Sequence, residues 1–464
     1  MLLSHILIGL WIDVLLWINV LKTHIALGAF HNSAERFDPP KCHPHTREAI
    51  LKRIMQWVDD PSNQAQIMWI FGPAGAGKSA IAQSIADLCF QSDNLAAGFF
   101  FSRHSAGRDN AVQFITTLAY QLSCSIPEMK VAVMKALKDD PLLLSHSLHA
   151  QAHGLIIRPL NNAFAMMGDK KIFKFRPRLV IIDGLDECGK PKDQRYLLEV
   201  LSTITKQLLY PLLFFVASRP EQAIRDAFNK EPLRILTTRL ALDDTYEADS
   251  DIRIFLQSKF DEIKQNHPAG GDLPEPWPSR EELGRLVEKS SGQFIHASTV
   301  VKFVDSSHHL PQDRLDIVFG LAPPEVATPF TELDALYHQI FSSVVYIKNA
   351  LEILMVLILF KDLPPRPALL DIFLSYKPGT TRMTLSDLHS ILRLPPAKEK
   401  EGEIKIMHAS LSDFLLDADR SRNFFVGVDA GVNVITRCIL KSVLKKGMRP
   451  KLGHCRAFTQ LYFR

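Results

Sequence analysis

The residues best equipped for chemistry are Gly72-Pro73-Ala74-Gly75-Ala76-Gly77-Lys78-Ser79, which have the spacing G-x-x-x-x-G-K-[ST] of a phosphate-binding loop. Glycines let the backbone turn so that several N–H groups face one anion. Lys78 offers a point charge to β- and γ-phosphates, and Ser79 offers a hydroxyl to Mg²⁺. Ala80 opens the segment that must carry the loop into a helix, whose N-terminus then faces the phosphates.

A second set of candidates lies about a hundred residues further on. Arg178-Leu179-Val180-Ile181-Ile182-Asp183 is an apolar run that ends in an acid, followed by Gly184-Leu185-Asp186-Glu187. An Asp at the carboxyl end of a parallel strand beside such a loop can hold the metal shell, and Asp183 is assigned that role. A capping role for Asp183 at the end of a buried strand is the plainer alternative. Glu187, with Asp186 as the rival, is assigned to orient or deprotonate an attacking water. Leu212 to Ser218 is a third apolar run and ends at Arg219-Pro220. Arg219 either senses the γ-phosphate or pairs with Asp183 or Glu187 and serves structure.

These groups need a rigid frame, and the hydrophobic pattern supplies one. Ile67-Met68-Trp69-Ile70-Phe71 predicts a buried strand before the loop, and Ala80 to Phe90 predicts a helix after it. Ala97 to Phe101 adds a strand, and Thr46 to Val58 and Asp109 to Ser123 add helices. Strands alternating with helices predict a parallel sheet covered on both faces. The segment from Pro127 to Phe175 reads as mainly helical, and the pattern after Pro220 is helical too. Helices are expected over 249–263, 281–289, 292–304, 333–345, 386–392 and 410–416, with a strand at 403–407. Leu351 to Phe360 is apolar but too short to span a membrane, so a buried core helix is expected there.

With 464 residues and 47% apolar content the chain suits two to four domains, each with its own core. The predicted divisions are a hydrophobic segment at 1–22, a linker and helix at 23–66 and a nucleotide-binding domain at 67–220. A helical domain at 221–325, a winged-helix-like domain at 326–425 and a basic tail at 426–464 follow. The fold class expected is therefore an α/β P-loop NTPase with a parallel sheet, followed by a helical and a winged-helix-like domain. A net charge of +4, from 54 basic and 50 acidic residues, gives no reason to expect a nucleic-acid partner. Cys42, Cys89, Cys124, Cys188, Cys438 and Cys455 show no C-x-x-C pair, which fits a reducing, cytoplasmic compartment better than disulfides or zinc. Leu2 to Leu21 is strongly apolar but contains His5, Asp13 and Asn19. It reads as a membrane anchor, as a helix packed on the protein body, or as residues from a misassigned gene start.

Taken together, these residues resemble fungal NACHT-type proteins, of the nephrocystin-3-like N-terminal type. That group belongs to the signal-transducing P-loop (STAND) NTPases that include NOD-like receptors. The resemblance rests on Cys42-His43-Pro44 with Thr46-Arg47-Glu48, on Gly72 to Ser79, and on Ile181 to Glu187. It continues through Ala217 to Pro220, Gly292 to Ala297, Thr328 to Asp334 and His408 to Leu415. It implies a switch with slow hydrolysis, closed around ADP or GDP with Mg²⁺, opened by ATP or GTP, and self-associating in the triphosphate state. It also implies signalling of an innate-immunity-like or heterokaryon-recognition-like kind. His408 is implied as a contact to the β-phosphate, and a satisfied histidine at a strand-to-helix junction is the alternative. Family members usually carry sensor repeats beyond the region matching residue 425 and an effector before residue 23. This sequence shows neither, so a shortened form is expected. A P-loop phosphotransferase and a binding-only scaffold are the competing functions.

Overall fold

The structure, a computed structural model, describes residues 21, 23–60, 64–166, 178–210, 212–242, 248–320, 330–360, 363–399 and 401–427. The apolar stretch before Leu21, the proline-marked boundary near residue 325, the basic tail beyond 427, Cys438 and Cys455 lie outside those residues. The chain forms two compact units that divide after Ala248.

The first unit is built on five strands: β1 (Ile67–Phe71), β2 (Leu95–Phe100), β3 (Leu179–Asp183), β4 (Leu213–Ser218) and β5 (Thr237–Ala241). They pair in the order β2-β3-β4-β1-β5, all parallel. The central runs read as continuously apolar because both faces of the sheet are covered. Side chains nevertheless alternate between two cores. Trp69, Val180, Ile182, Phe214 and Val216 enter one layer, beneath the helices Phe114–Ser125 and Pro191–Gln207. Met68, Ile70, Leu179, Ile181, Phe215 and Ala217 enter the other, beneath Glu48–Asp59 and Lys78–Gln91. Each such aliphatic or phenyl side chain contributes about 1.5–3 kcal/mol on burial. This is an α/β fold of the phosphate-loop kind.

Three expectations are corrected here. The sheet does not end at residue 220, because β5 pairs with β1 from Ile67↔Thr237 to Phe71↔Ala241. Its pattern is faint, since this edge strand buries only Leu240 fully. The helix expected from Asp109 begins at Phe114. Asn110 instead accepts the Val112 N–H in a local turn, and the Asp109 carbonyl accepts the Gly189 N–H. Residues 23–43 are more than a linker: Ile25, Ala26 and Ala29 join the first core, and the Ala26 N–H donates to Thr117 Oγ1 at 2.9 Å.

The second unit is mainly helical. Described residues from Ile252 to Val318 and from Leu333 to Val426 share one hydrophobic core, on both sides of the division expected near residue 325. Leu351 to Phe360 falls in the helix Ile347–Leu359, which buries Ile353, Leu354 and Val356 as predicted. The helix expected at 386–392 is replaced by a short 3₁₀ turn, Ser386–Leu388, followed by strand β6 (Leu392–Arg393). That strand pairs antiparallel with β7 (Lys405–Ile406). No helix among the described residues is long and apolar enough to cross a membrane.

Candidate phosphate-binding site

The loop Gly72–Gly77 leaves the carboxyl end of β1 and enters the helix Lys78–Gln91. Gly75 and Gly77 adopt φ of +79° and +89°, in the left-handed region that a side chain resists. Gly72 is required for another reason. A Cβ there would lie 3.0 Å from Leu242 Cβ and 3.1 Å from the Leu242 carbonyl oxygen. Among the described residues no side chain caps the helix at Gly77, so its first N–H groups are left to an anion. Lys78 Nζ donates to the carbonyls of Gly72 at 2.9 Å and Pro73 at 2.7 Å. An ammonium has three N–H donors, so one remains for a phosphate oxygen. Burial lowers the Lys78 pKa to about 8, partly offset by Asp186, Asp183 and Glu187.

Strand order delivers the acids to this loop. β4 lies between β1 and β3, so the ends of three adjacent strands present Gly72, Arg219 and Asp183 on one edge. Asp183 is buried, and the Ser79 hydroxyl stabilises its carboxylate. Burial raises its pKa to about 6, against the opposing effects of Ser79, Arg36 and Lys78. A serine hydroxyl beside a carboxylate is a hard-oxygen donor set that suits Mg²⁺, and the loop's glycine turns suit a phosphate.

Asp186 and Glu187 are adjacent in sequence but differ in environment. Both sit on the 3₁₀ turn Leu185–Glu187, entered through Gly184 at φ +72°. Asp186 Oδ1 accepts the Arg219 backbone N–H at 2.9 Å. Its Oδ2 lies 3.3 Å from Arg219 Nε and 3.8 Å from an Arg103 guanidinium nitrogen. Asp186 is thus committed to arginines. Glu187 Oε2 accepts the Arg103 backbone N–H at 3.0 Å. Burial, aided by the charge on Asp186, raises the Glu187 pKa to about 7, where a carboxyl exchanges protons near neutrality. Arg219 therefore pairs with Asp186 through both its backbone N–H and its guanidinium.

The family model described as "Nephrocystin 3, N-terminal" matches residues 45–219. The match contains the loop, all three acids and Arg219. No curated protein matches the chain. A solved structure titled "Structure of Drosophila ORC bound to DNA" shares 12% identity with this chain, at a TM-score of 0.33. It covers 85% of this chain and 98% of that one. So low a TM-score carries no weight for fold or function.

Several residues at the site had no role assigned from sequence. Arg103 follows β2 as Arg219 follows β4, and that shared strand-end position was the available signal. Arg36 comes from upstream: its guanidinium lies 3.6 Å over the Phe100 ring and donates to Gln83 Oε1 at 2.8 Å. Phe100 is the register partner of Asp183, so the positive charge of Arg36 is felt there. Nothing in the local sequence marks such a role. Arg47 belongs to the resemblance motif, and its guanidinium donates to the Ala76 carbonyl at 3.2 Å. His408 belongs to the second unit, at the start of the helix Ala409–Leu415. Its Nε2 is buried without a hydrogen-bond partner among the described residues. Burial, with Lys302 nearby, lowers its pKa to about 3 and keeps the ring neutral.

Proposed function

We propose that the first unit is a slow NTPase of the NACHT-like, signal-transducing kind, binding ATP/ADP or GTP/GDP with Mg²⁺. The observation that carries this reading is the buried Asp183 carboxylate, stabilised by the Ser79 hydroxyl, beside a loop whose lysine is already anchored to the carbonyls of Gly72 and Pro73. Residues 72–80 would cradle the phosphates with backbone N–H groups, and the remaining Lys78 N–H would donate to a phosphate oxygen. Ser79 and Asp183 would hold Mg²⁺, which when bound neutralises charge on the phosphates. Glu187, held by the Arg103 N–H, would accept the proton of an attacking water. Arg219, its backbone and guanidinium oriented by Asp186, would present positive charge between the loop and the acids.

The second unit is read as the helical and winged-helix-like part of a switch that responds to the bound nucleotide, with His408 as a β-phosphate contact. A cytoplasmic setting and self-association in the triphosphate state belong to the same reading. The test is to purify the chain, denature it and identify any released nucleotide by chromatography, then to follow hydrolysis by wild type and Glu187→Gln. Stoichiometric nucleoside diphosphate with slow turnover, abolished by Glu187→Gln, is expected. A protein that neither carries nor binds any nucleotide would overturn the proposal.

A further inference from the structure

Arg47 has no place in the chemistry above, yet it is 5% exposed and fully cationic. A buried charge is costly unless it meets a partner. It also occupies φ +59°, as the residue that starts the helix Glu48–Asp59, with His45 at φ +62° just before it. Left-handed backbone at two non-glycine residues persists only where the surroundings fix it. They do so here. Thr46 Oγ1 donates to the His43 carbonyl at 2.7 Å, and Ile50, Ile54, Trp57 and Val58 anchor the helix in the same core layer as Ala76. From this rigid mount the Arg47 guanidinium reaches across 29 residues to the carbonyl oxygen of Ala76, inside the phosphate loop.

The peptide bond gives that contact a consequence. The carbonyl of Ala76 and the N–H of Gly77 belong to one planar trans unit and point in opposite directions. Holding the oxygen toward Arg47 turns the N–H away from it. Gly77, at φ +89°, has little intrinsic preference of its own between such orientations. We propose that Arg47 is a positioning residue of the phosphate loop: by fixing the Ala76 carbonyl, it aims the Gly77 N–H into the concavity where a nucleotide β-phosphate sits. This rests on the nucleotide-binding reading above and goes beyond it, because Arg47 touches no nucleotide in the scheme. An arginine suits the task, since it keeps its charge when buried and its planar fork holds a carbonyl at a fixed angle.

The test uses the full chain and measures affinity for Mg²⁺ complexes of ADP, ATP, GDP and GTP by titration calorimetry. Thermal midpoints without nucleotide are recorded in parallel. Arg47→Met is expected to weaken binding of the cognate di- and triphosphate alike by about tenfold or more, the scale of one charge-assisted hydrogen bond. Arg47→Lys, which keeps one donor, should fall between Arg47→Met and wild type. Trp57→Phe is the control for general loosening of the same helix. It removes the Trp57 Nε1 bond to the Ala65 carbonyl and should lower the thermal midpoint while leaving affinity within twofold. If Arg47→Met does not fold, Arg47→Gln is measured in its place with the same expectation. A folded Arg47→Met or Arg47→Gln whose affinity stays within twofold of wild type overturns the inference. So does a Trp57→Phe protein that loses as much affinity as the arginine variants. A wild-type protein that binds none of the four nucleotides overturns the underlying reading instead.

Discussion

Replacing Asp186 with alanine should damage the fold, whereas Glu187→Gln, one residue away, should not. The Asp186 side chain is 4% exposed and its arginine partners 21% and 26%. Removing it costs the Arg219 N–H a charged acceptor, a loss of about 1.5–3 kcal/mol. Truncating one member of a fully buried pair costs about 3–5 kcal/mol. The arginines here retain some access to water, so the total belongs near the lower end, about 3 kcal/mol. One relief opposes it: the charge on Asp186 raises the pKa of Glu187, and that repulsion disappears with Asp186. A net loss of about 2–3 kcal/mol corresponds to a fall of roughly 5–10 °C in the thermal midpoint of a unit this size. The assay is scanning calorimetry with urea unfolding in parallel, followed through the emission of Trp57 and Trp69, both in the first unit. Glu187→Gln should unfold at or above the wild-type midpoint at pH 8, because a neutral side chain replaces a poorly solvated carboxylate. An Asp186→Ala protein within 0.5 kcal/mol of wild type, on the scale of ordinary surface changes, would refute the assignment. So would a Glu187→Gln protein less stable than Asp186→Ala.

Other consequences can be measured with the same material. Asp183 and Glu187 have folded pKa values raised to about 6 and about 7. Their contribution to stability is therefore fully present below about pH 4 and lost as pH rises through 7. In metal-free buffer, Glu187→Gln should shrink that loss, and urea midpoints between pH 4 and 8 that do not differ from wild type would contradict it. Lys78 is charged below about pH 8, so nucleotide affinity should decline at higher pH, and Lys78→Ala should abolish both the pH dependence and most of the binding. Gly77→Ala finds open space for its Cβ, so it should cost only the left-handed backbone penalty of about 1–2 kcal/mol. Gly72→Ala must push Leu242 aside and should be the more destabilising of the two, which thermal melts will rank.

The motifs most legible in the sequence are those fixed by a doubly covered parallel sheet. Such strands must be apolar throughout, so Ile67–Phe71, Leu179–Asp183 and Leu213–Ser218 stand out, and their ends locate the loop, Asp183 and Arg219. β5 was missed because Thr237, Thr238 and Arg239 are not fully buried at the sheet edge and need no such pattern. The division of labour between Asp186 and Glu187 was equally hidden. Adjacent acids look alike in sequence, and only the 3₁₀ turn sends one toward Arg219 and the other toward the Arg103 N–H. The contribution of Arg36 depends on packing between segments some fifty to a hundred and fifty residues apart, which no local period encodes.

The position of β1 in the sheet also bears on how the protein is made. Both neighbours of β1 lie far downstream, at 213–218 and 237–241. On the ribosome, the phosphate loop emerges long before any strand that can hold it. At elongation rates of about 5–20 residues per second, β1 waits roughly 7–35 s for its partners. During that interval Met68, Trp69 and Ile70 are an unpaired apolar strand, the kind of segment that chaperones bind and that aggregates when they do not. Slower translation between residues 71 and 241 would lengthen the exposure. Folding yield should therefore depend more on chaperone supply than the stability of the finished sheet would indicate.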